Sequence, residues 1–304
     1  MLNRCQQKNK FAFSLIFVLL FAFSGCARVD NYLPDETQMV EDTPEKATPS
    51  VTPLPMAAIV NGEGILLADY EEELERFRKA AEEEEIKYEG QEAIDFVVTE
   101  MIHTKLLEQA ALKDGYVLDS NSFNQKIEEA IANAGGEESF RVWLQENFYT
   151  LDSFKNAYRA QLAAAWKRDQ IILNMSTTAE QVHARQILVL NETLANEIYN
   201  QLESGSNFAT LASTYDPVLS GDLGWFPRGY LTQSEIEDAA FALETGQISQ
   251  VIQSDLGYHI IQVVEKDPQR ELSPDAKQVM RHIEINNWLD NKYQESEIEI
   301  FVAN

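Results

Sequence analysis

The sequence predicts an α+β protein with two folded parts, a helical one and then a mixed one of alternating strands and helices. Three observations predict it. Apolar residues recur at three and four residues through most of 57–175, which is the helical period. From His183 the period shortens to two, and short glycine-bounded strands alternate with helical stretches. The chain has 304 residues, 44% of them hydrophobic. That suits two domains with their own cores and is too low for a multi-span membrane protein.

Met1–Lys10 is basic, and Phe11–Phe23 is an apolar run broken only by Ser14. The run is shorter than the roughly 20 residues a spanning helix needs. Phe23-Ser24-Gly25-Cys26 follows directly. Basic start, apolar run, small residues and then cysteine fit a lipoprotein signal peptide over 1–25, with lipidation at Cys26. An uncleaved membrane anchor with an incidental cysteine is the plainer alternative. Both place the rest of the chain outside the cytoplasm, and the first makes it lipid-anchored on the outer face of the cell membrane. Residues 26–56 hold five of the nine prolines among Thr, Glu and Asp. They are expected to be a disordered linker, since they cannot bury enough surface to order themselves.

Ala57–Gly62 reads as a short strand ending in a turn. Leu67, Tyr70, Leu74, Phe77 and Ala81 then mark one helix, and Ile94, Val98, Ile102, Leu106 and Ala110 a second that stops at Gly115. A third helix runs from Ser122 to Ala134, a fourth carries Phe140, Trp143 and Leu144, and a fifth Phe154, Tyr158, Leu162 and Trp166. The acidic runs Glu71–Glu73 and Glu82–Glu85 read as solvated helix faces.

His183–Val189 alternates as a strand, Glu192–Leu202 and Phe208–Thr214 are helical, and Gly221–Phe226 is a short strand. Ile236–Leu243 is helical, and Ile248–Ile252 and Tyr258–Glu265 are strands. The order βααβαββ gives a sheet with helices packed on it. Ser273-Pro274 opens a last helix with Val279, Ile283 and Leu289, and Glu297–Val302 alternates like an edge strand.

The formal charge of −26 argues against nucleic-acid binding, which needs a basic face. With only Cys5 and Cys26, a chain cut before Cys26 can form no internal disulfide. His103, His183 and His282 show no paired spacing for zinc, and neither HExxH nor a glycine-rich phosphate loop is present.

The helical part is similar to the N-terminal domains of extracytoplasmic chaperones of the SurA and PrsA type, on "AAIVNGEGI", "VVTEMIHTKLLEQAALKDG" and "GYVLDSNSFNQKIEEAI". The second part resembles the parvulins, on "ARQILV", "GSNFATLASTY", "GDLGWFPRG", "DAAFAL" and "GQISQVIQSDLGYHIIQV", five segments in family order over about 182–266. The resemblance implies a chaperone-like domain at 57–175, a parvulin domain with a small, mostly antiparallel sheet at 176–268, and a C-terminal helix and strand at 269–304 returning to the first. It implies peptidyl-prolyl cis–trans isomerase activity without metal or cofactor. The expected partners are unfolded or newly secreted proteins with X-Pro bonds, and the membrane through the lipid anchor.

Carried over by position, the proline-ring pocket would be Leu223, Leu231 and Ile236, where the family more often has Met and Phe in the second and third places. The polar network would be Asp216, Ser254 and His259, with Gln186 where the family has its first histidine. Asp216 precedes Pro217 and equally suits the start of a turn. His259 lies on a buried strand, where a hydrogen-bonded core histidine is the alternative. Gln186 cannot change tautomer or charge, and the loop from Asp216 to Gly221 is shorter than the family's. Both imply weakened activity, and the competing function is a non-catalytic chaperone with a vestigial parvulin domain.

Overall fold

The computed structural model describes residues 54–302 except residue 89. The signal peptide, Cys26 and the linker up to residue 53 lie outside the described residues. Two compact units emerge, one from the described residues up to Trp166 together with Glu295 onward, the other spanning Lys167–Gln294.

In the first unit, β1 (Met56–Val60) and β2 (Glu63–Leu66) form a hairpin. Asn61 and Gly62 have φ of 51° and 84°, the left-handed pair that a two-residue turn requires and that Asn-Gly supplies at little cost. The hairpin's second strand is missing from the sequence expectations because Glu63-Gly64 carries no apolar alternation. Four helices lie wholly in this unit: α1 (Leu67–Glu83), α2 (Gly90–Lys113), α3 (Ser120–Asn133) and α4 (Glu137–Glu146). The unit boundary falls inside α5 (Leu151–Leu173). The Asp119 carboxylate accepts the backbone N–H groups of Asn121 and Ser122 and caps α3. Three aromatics pack inward: Phe123, Phe140 and Phe154 share one core cluster with Ile127 and Leu144.

The chain end returns to β1 through β7 (Ile298–Ile300), giving a sheet of order β2-β1-β7. Ala58, Ile59 and Val60 pair with Ile300, Glu299 and Ile298. The Asn61 side chain extends the junction, its Oδ1 accepting from Glu297 N–H at 3.0 Å. Truncation after Glu295 therefore strips the central strand of one partner. It is expected to lower the stability of this unit by about 2 kcal/mol or more, read as an earlier urea transition by circular dichroism.

The second unit holds a four-stranded antiparallel sheet of order β4-β3-β6-β5: β3 (Thr178–Val189), β4 (Asp222–Pro227), β5 (Ile252–Ser254) and β6 (Gly257–Glu271). The side chains alternate between two cores. Ile187, Val189 and Ile260 pack against α6 (Glu192–Glu203) and α7 (Phe208–Tyr215). Val182, Ala184, Ile261 and Val263 pack on the opposite face with Phe226 and with α8 (Ser234–Ala242). The last helix, α9 (Pro274–Gln294), is grouped with this unit.

The expected strand at Ile248–Ile252 is corrected. Only Ile248 makes a sheet bridge, to Gln262, and β5 begins at Ile252. The Ser249 hydroxyl accepts the Ile261 N–H at 2.9 Å while Ser249 N–H donates to Ile261 O, so a side chain takes over half of the ladder.

Candidate active site

Parity along the sheet decides which side chains meet. Gln186 has the parity of Val182 and Ala184 on β3, and His259 that of Ile261 and Val263 on β6, so both face α8. His259 is only 2% exposed. Its Nδ1 lies 3.0 Å from Gln186 Oε1 and its Nε2 2.7 Å from Ser254 Oγ. Ser254 Oγ also accepts the Leu256 N–H at 3.0 Å.

Burial holds the His259 pKa below its usual value near 6.5, and the Glu235 carboxylate on the first turn of α8 offsets part of that shift. A neutral imidazole has one donor and one acceptor. The Gln186 oxygen can only accept, so Nδ1 carries the proton and Nε2 accepts from the serine hydroxyl. Hydrogen bonds then run in one direction, from Leu256 N–H through Ser254 and His259 to Gln186, and the Gln186 amide N–H pair is the donor end.

Leu223, Leu231 and Ile236 meet on one apolar cluster. Ile236 is 3% exposed and lies within it, while Leu223 and Leu231 are partly buried against it. Leu223 is the extra residue of a bulge in the β3–β4 pairing, because Ala184 pairs with Gly224 and Arg185 with Asp222. Bulges bend a strand and re-aim a side chain. Phe226, Tyr230 and Ile252, absent from the expected pocket, belong to the same cluster.

Asp216 takes up the turn alternative. Its carboxylate accepts the backbone N–H groups of Val218 and Leu219 at 3.2 and 3.1 Å and that of Gly221 at 3.0 Å. These bonds hold its pKa below the usual carboxylate value, Leu219 and Gly221 contributing most. The residue closes its own loop, as an Asp before a Pro commonly does, and reaches the histidine trio only through a peptide group: Gly221 O accepts Gln186 N–H at 2.8 Å. Asp216→Ala is thus expected to act indirectly. Amide exchange at Val218, Leu219 and Gly221 should quicken several-fold, with an unchanged far-UV spectrum.

One residue was overlooked in the sequence. Glu237 is 8% exposed, and its carboxylate accepts Gly229 N–H at 2.6 Å and Leu231 N–H at 3.1 Å. The available signal was position: Glu237, Ala240 and Phe241 share the buried stripe of α8 at helical spacing. Among the described residues no group of three His, Cys, Asp or Glu side chains gathers to hold a metal ion.

Family models match both parts of the chain. A model described as the PPIC-type PPIASE domain matches residues 154–267. One described as the SurA-like N-terminal domain matches residues 1–166. Among curated proteins, the chain is 27% identical over 275 residues to the foldase protein PrsA of Caldanaerobacter subterraneus subsp. tengcongensis, covering 82% of this chain and 88% of that protein. It is 37% identical over 123 residues to the foldase protein PrsA of a Geobacillus species, a match covering 39% of this chain and 44% of that protein. Among solved structures, the PrsA peptidylprolyl isomerase of Bacillus anthracis aligns at 26% identity and a TM-score of 0.39, over 65% of this chain and 96% of that one. With more than half its length matched, the chain belongs to the family defined by the SurA-like N-terminal domain, and it carries behind that domain a parvulin domain of the PPIC-type peptidyl-prolyl isomerases.

Proposed function

We propose that the protein is a peptidyl-prolyl isomerase and foldase acting on exported proteins, with Leu223, Leu231 and Ile236 gripping the proline ring and the Gln186–His259–Ser254 chain beside it. The observation that carries the reading is the buried His259, held at both nitrogens next to a partly open apolar cluster. Rotation about an X-Pro bond faces a barrier near 20 kcal/mol and takes roughly tens of seconds unaided. Twisting the amide breaks its resonance, so the prolyl nitrogen gains a lone pair and the carbonyl oxygen loses charge. An apolar grip, exclusion of water and a fixed donor favour the twisted form without acid, base or metal. Gln186 as that donor supports a weaker catalyst than the family's, since it cannot adjust tautomer or charge. The functional division we assign is a chaperone part at 57–175 completed from 269–304, and the isomerase at 176–268.

A non-catalytic chaperone is the second reading, favoured by Asp216, whose carboxylate is fully engaged by its own loop. A protease-free isomerisation assay on an X-Pro peptide, run on the protein and on Gln186→His, decides. A rate above background in the parent, raised or held by Gln186→His, is the expected result, and background rates in both would sink the isomerase reading.

We assign the site of action to the outer face of the cytoplasmic membrane, with a lipid anchor on Cys26. Support comes from the order basic segment, apolar run, small residues, cysteine at the N-terminus. Cys26→Ala expressed in the host should accumulate as unprocessed precursor. Normal processing at an unchanged position would refute the anchor.

A further inference from the structure

We propose that Glu237 is the positioning residue of the proline-ring pocket, a buried carboxylate that fixes where the Leu231 wall stands. The inference rests on the isomerase reading of the site and adds one residue to it.

The connection from β4 to α8 is tied back onto that helix at several points. Tyr230 N–H donates to Pro227 O at 3.3 Å, closing a turn. The Arg228 guanidinium sits over the Phe241 ring, 4.2 Å from its centroid. The two oxygens of Glu237 then take the N–H groups of Gly229 and Leu231, one each. Tyr230 and Leu231 both rest on the cluster that holds Ile236. The wall of the pocket is therefore an irregular segment, and its place is set by a carboxylate one residue beyond the floor residue Ile236.

The choice of residue follows from chemistry. Two inward-pointing amide N–H groups two residues apart need two acceptors, and buried N–H groups are costly when unmet. A carboxylate offers two oxygens and no donor, so it satisfies both. A glutamine offers one oxygen and turns an NH2 group toward the other N–H, donor against donor. Gln in place of Glu keeps volume and loses one tie, which makes it the discriminating substitution.

The test uses the full-length protein, with Glu237→Gln and Leu231→Ala made singly and together. A tetrapeptide with a central Ala-Pro bond is titrated for Kd, its turnover is followed without protease, and exchange of the Gly229 and Leu231 amides is measured. In Glu237→Gln we expect about tenfold faster exchange at one or both amides and a Kd raised by roughly five- to tenfold, with kcat falling less than Kd rises. Adding Leu231→Ala should raise Kd by no more than about twofold beyond Glu237→Gln, because both act on the same wall. Additive effects, or an unchanged Kd beside faster exchange, would overturn the proposal and leave Glu237 as a fold residue only. If Glu237→Gln does not fold, Glu237→Asp, which keeps the charge but shortens the reach, is scored by the same Kd comparison. A parent that binds the peptide without turning it over removes the isomerase reading alone, since the Kd comparison still decides this one. A parent that does not bind the peptide overturns both.

Discussion

Gly221→Ala is expected to destabilise the second unit by about 3 kcal/mol or more, and so to lower its melting temperature by on the order of 10 °C. Gly221 has φ of +71°, where a side chain is strained, and a Cβ built there would overlap the Gln186 carbonyl oxygen, far inside van der Waals contact. Backbone cannot swing aside as the end of a side chain can. The two peptides are already joined, Gln186 N–H to Gly221 O at 2.8 Å, and Gly221 N–H binds Asp216. Relief of the overlap must therefore move β3, the loop or both, and Gln186 moves with them. Gly224→Ala is the control. Its φ of +67° carries a similar strain, but the space around its Cβ is open, with nothing within 4 Å. It should cost about 1 kcal/mol. Thermal unfolding of the two variants separates strain from overlap, and equal losses would mean that the close approach to Gln186 does not matter.

The contrast between these glycines bears on what the sequence discloses. The helices were legible because each carries its own period: Tyr70, Leu74, Phe77 and Ala81 are buried as their spacing requires. The return of the chain end to β1 was legible as well, since a lone short strand needs a partner and Glu297–Val302 alternates. Less was visible where a polar side chain does backbone work. Ile248–Ile252 reads as a strand but folds as a bridge at Ile248 followed by the first residue of β5, with the Ser249 hydroxyl in place of a ladder acceptor. Gln181, 1% exposed, donates to the Arg270 and Glu271 carbonyls and carries β3 five residues further toward the N-terminus than alternation indicated. Asp216 and Glu237 show the same limit. Both are acids that accept main-chain N–H groups, one in a loop where a turn was the alternative to a place in the polar network, the other in a helix of which only the span was expected. Periodicity reports which face is buried. It is silent on which backbone donors lie there unmet.

Removal of the imidazole should have the largest effect on turnover. His259→Ala leaves the Gln186 oxygen and the Ser254 hydroxyl without their shared partner and empties a site that is almost fully enclosed. One hydrogen bond in such a network is worth roughly 0.5–1.5 kcal/mol net, more when a buried group is stranded, so two predict a fall of about ten- to a hundredfold in kcat/KM. Acid should imitate part of this loss. The folded-state pKa of His259 lies below the unfolded value near 6.5, because burial disfavours the imidazolium more than Glu235 favours it. Between those two pKa values the unfolded chain binds more protons than the folded one, so stability rises with pH. The stabilising contribution is complete above about 6.5 and is lost as pH falls through the folded pKa. Protonation would also force Nε2 to donate, reversing the bond that Ser254 now gives. Isomerisation should accordingly be flat on the alkaline side of 6.5 and decline only below it, and the decline should vanish in His259→Gln, which carries no titrating group there. A profile that falls on the alkaline side, or one unchanged by His259→Gln, would mean that a different group controls the rate.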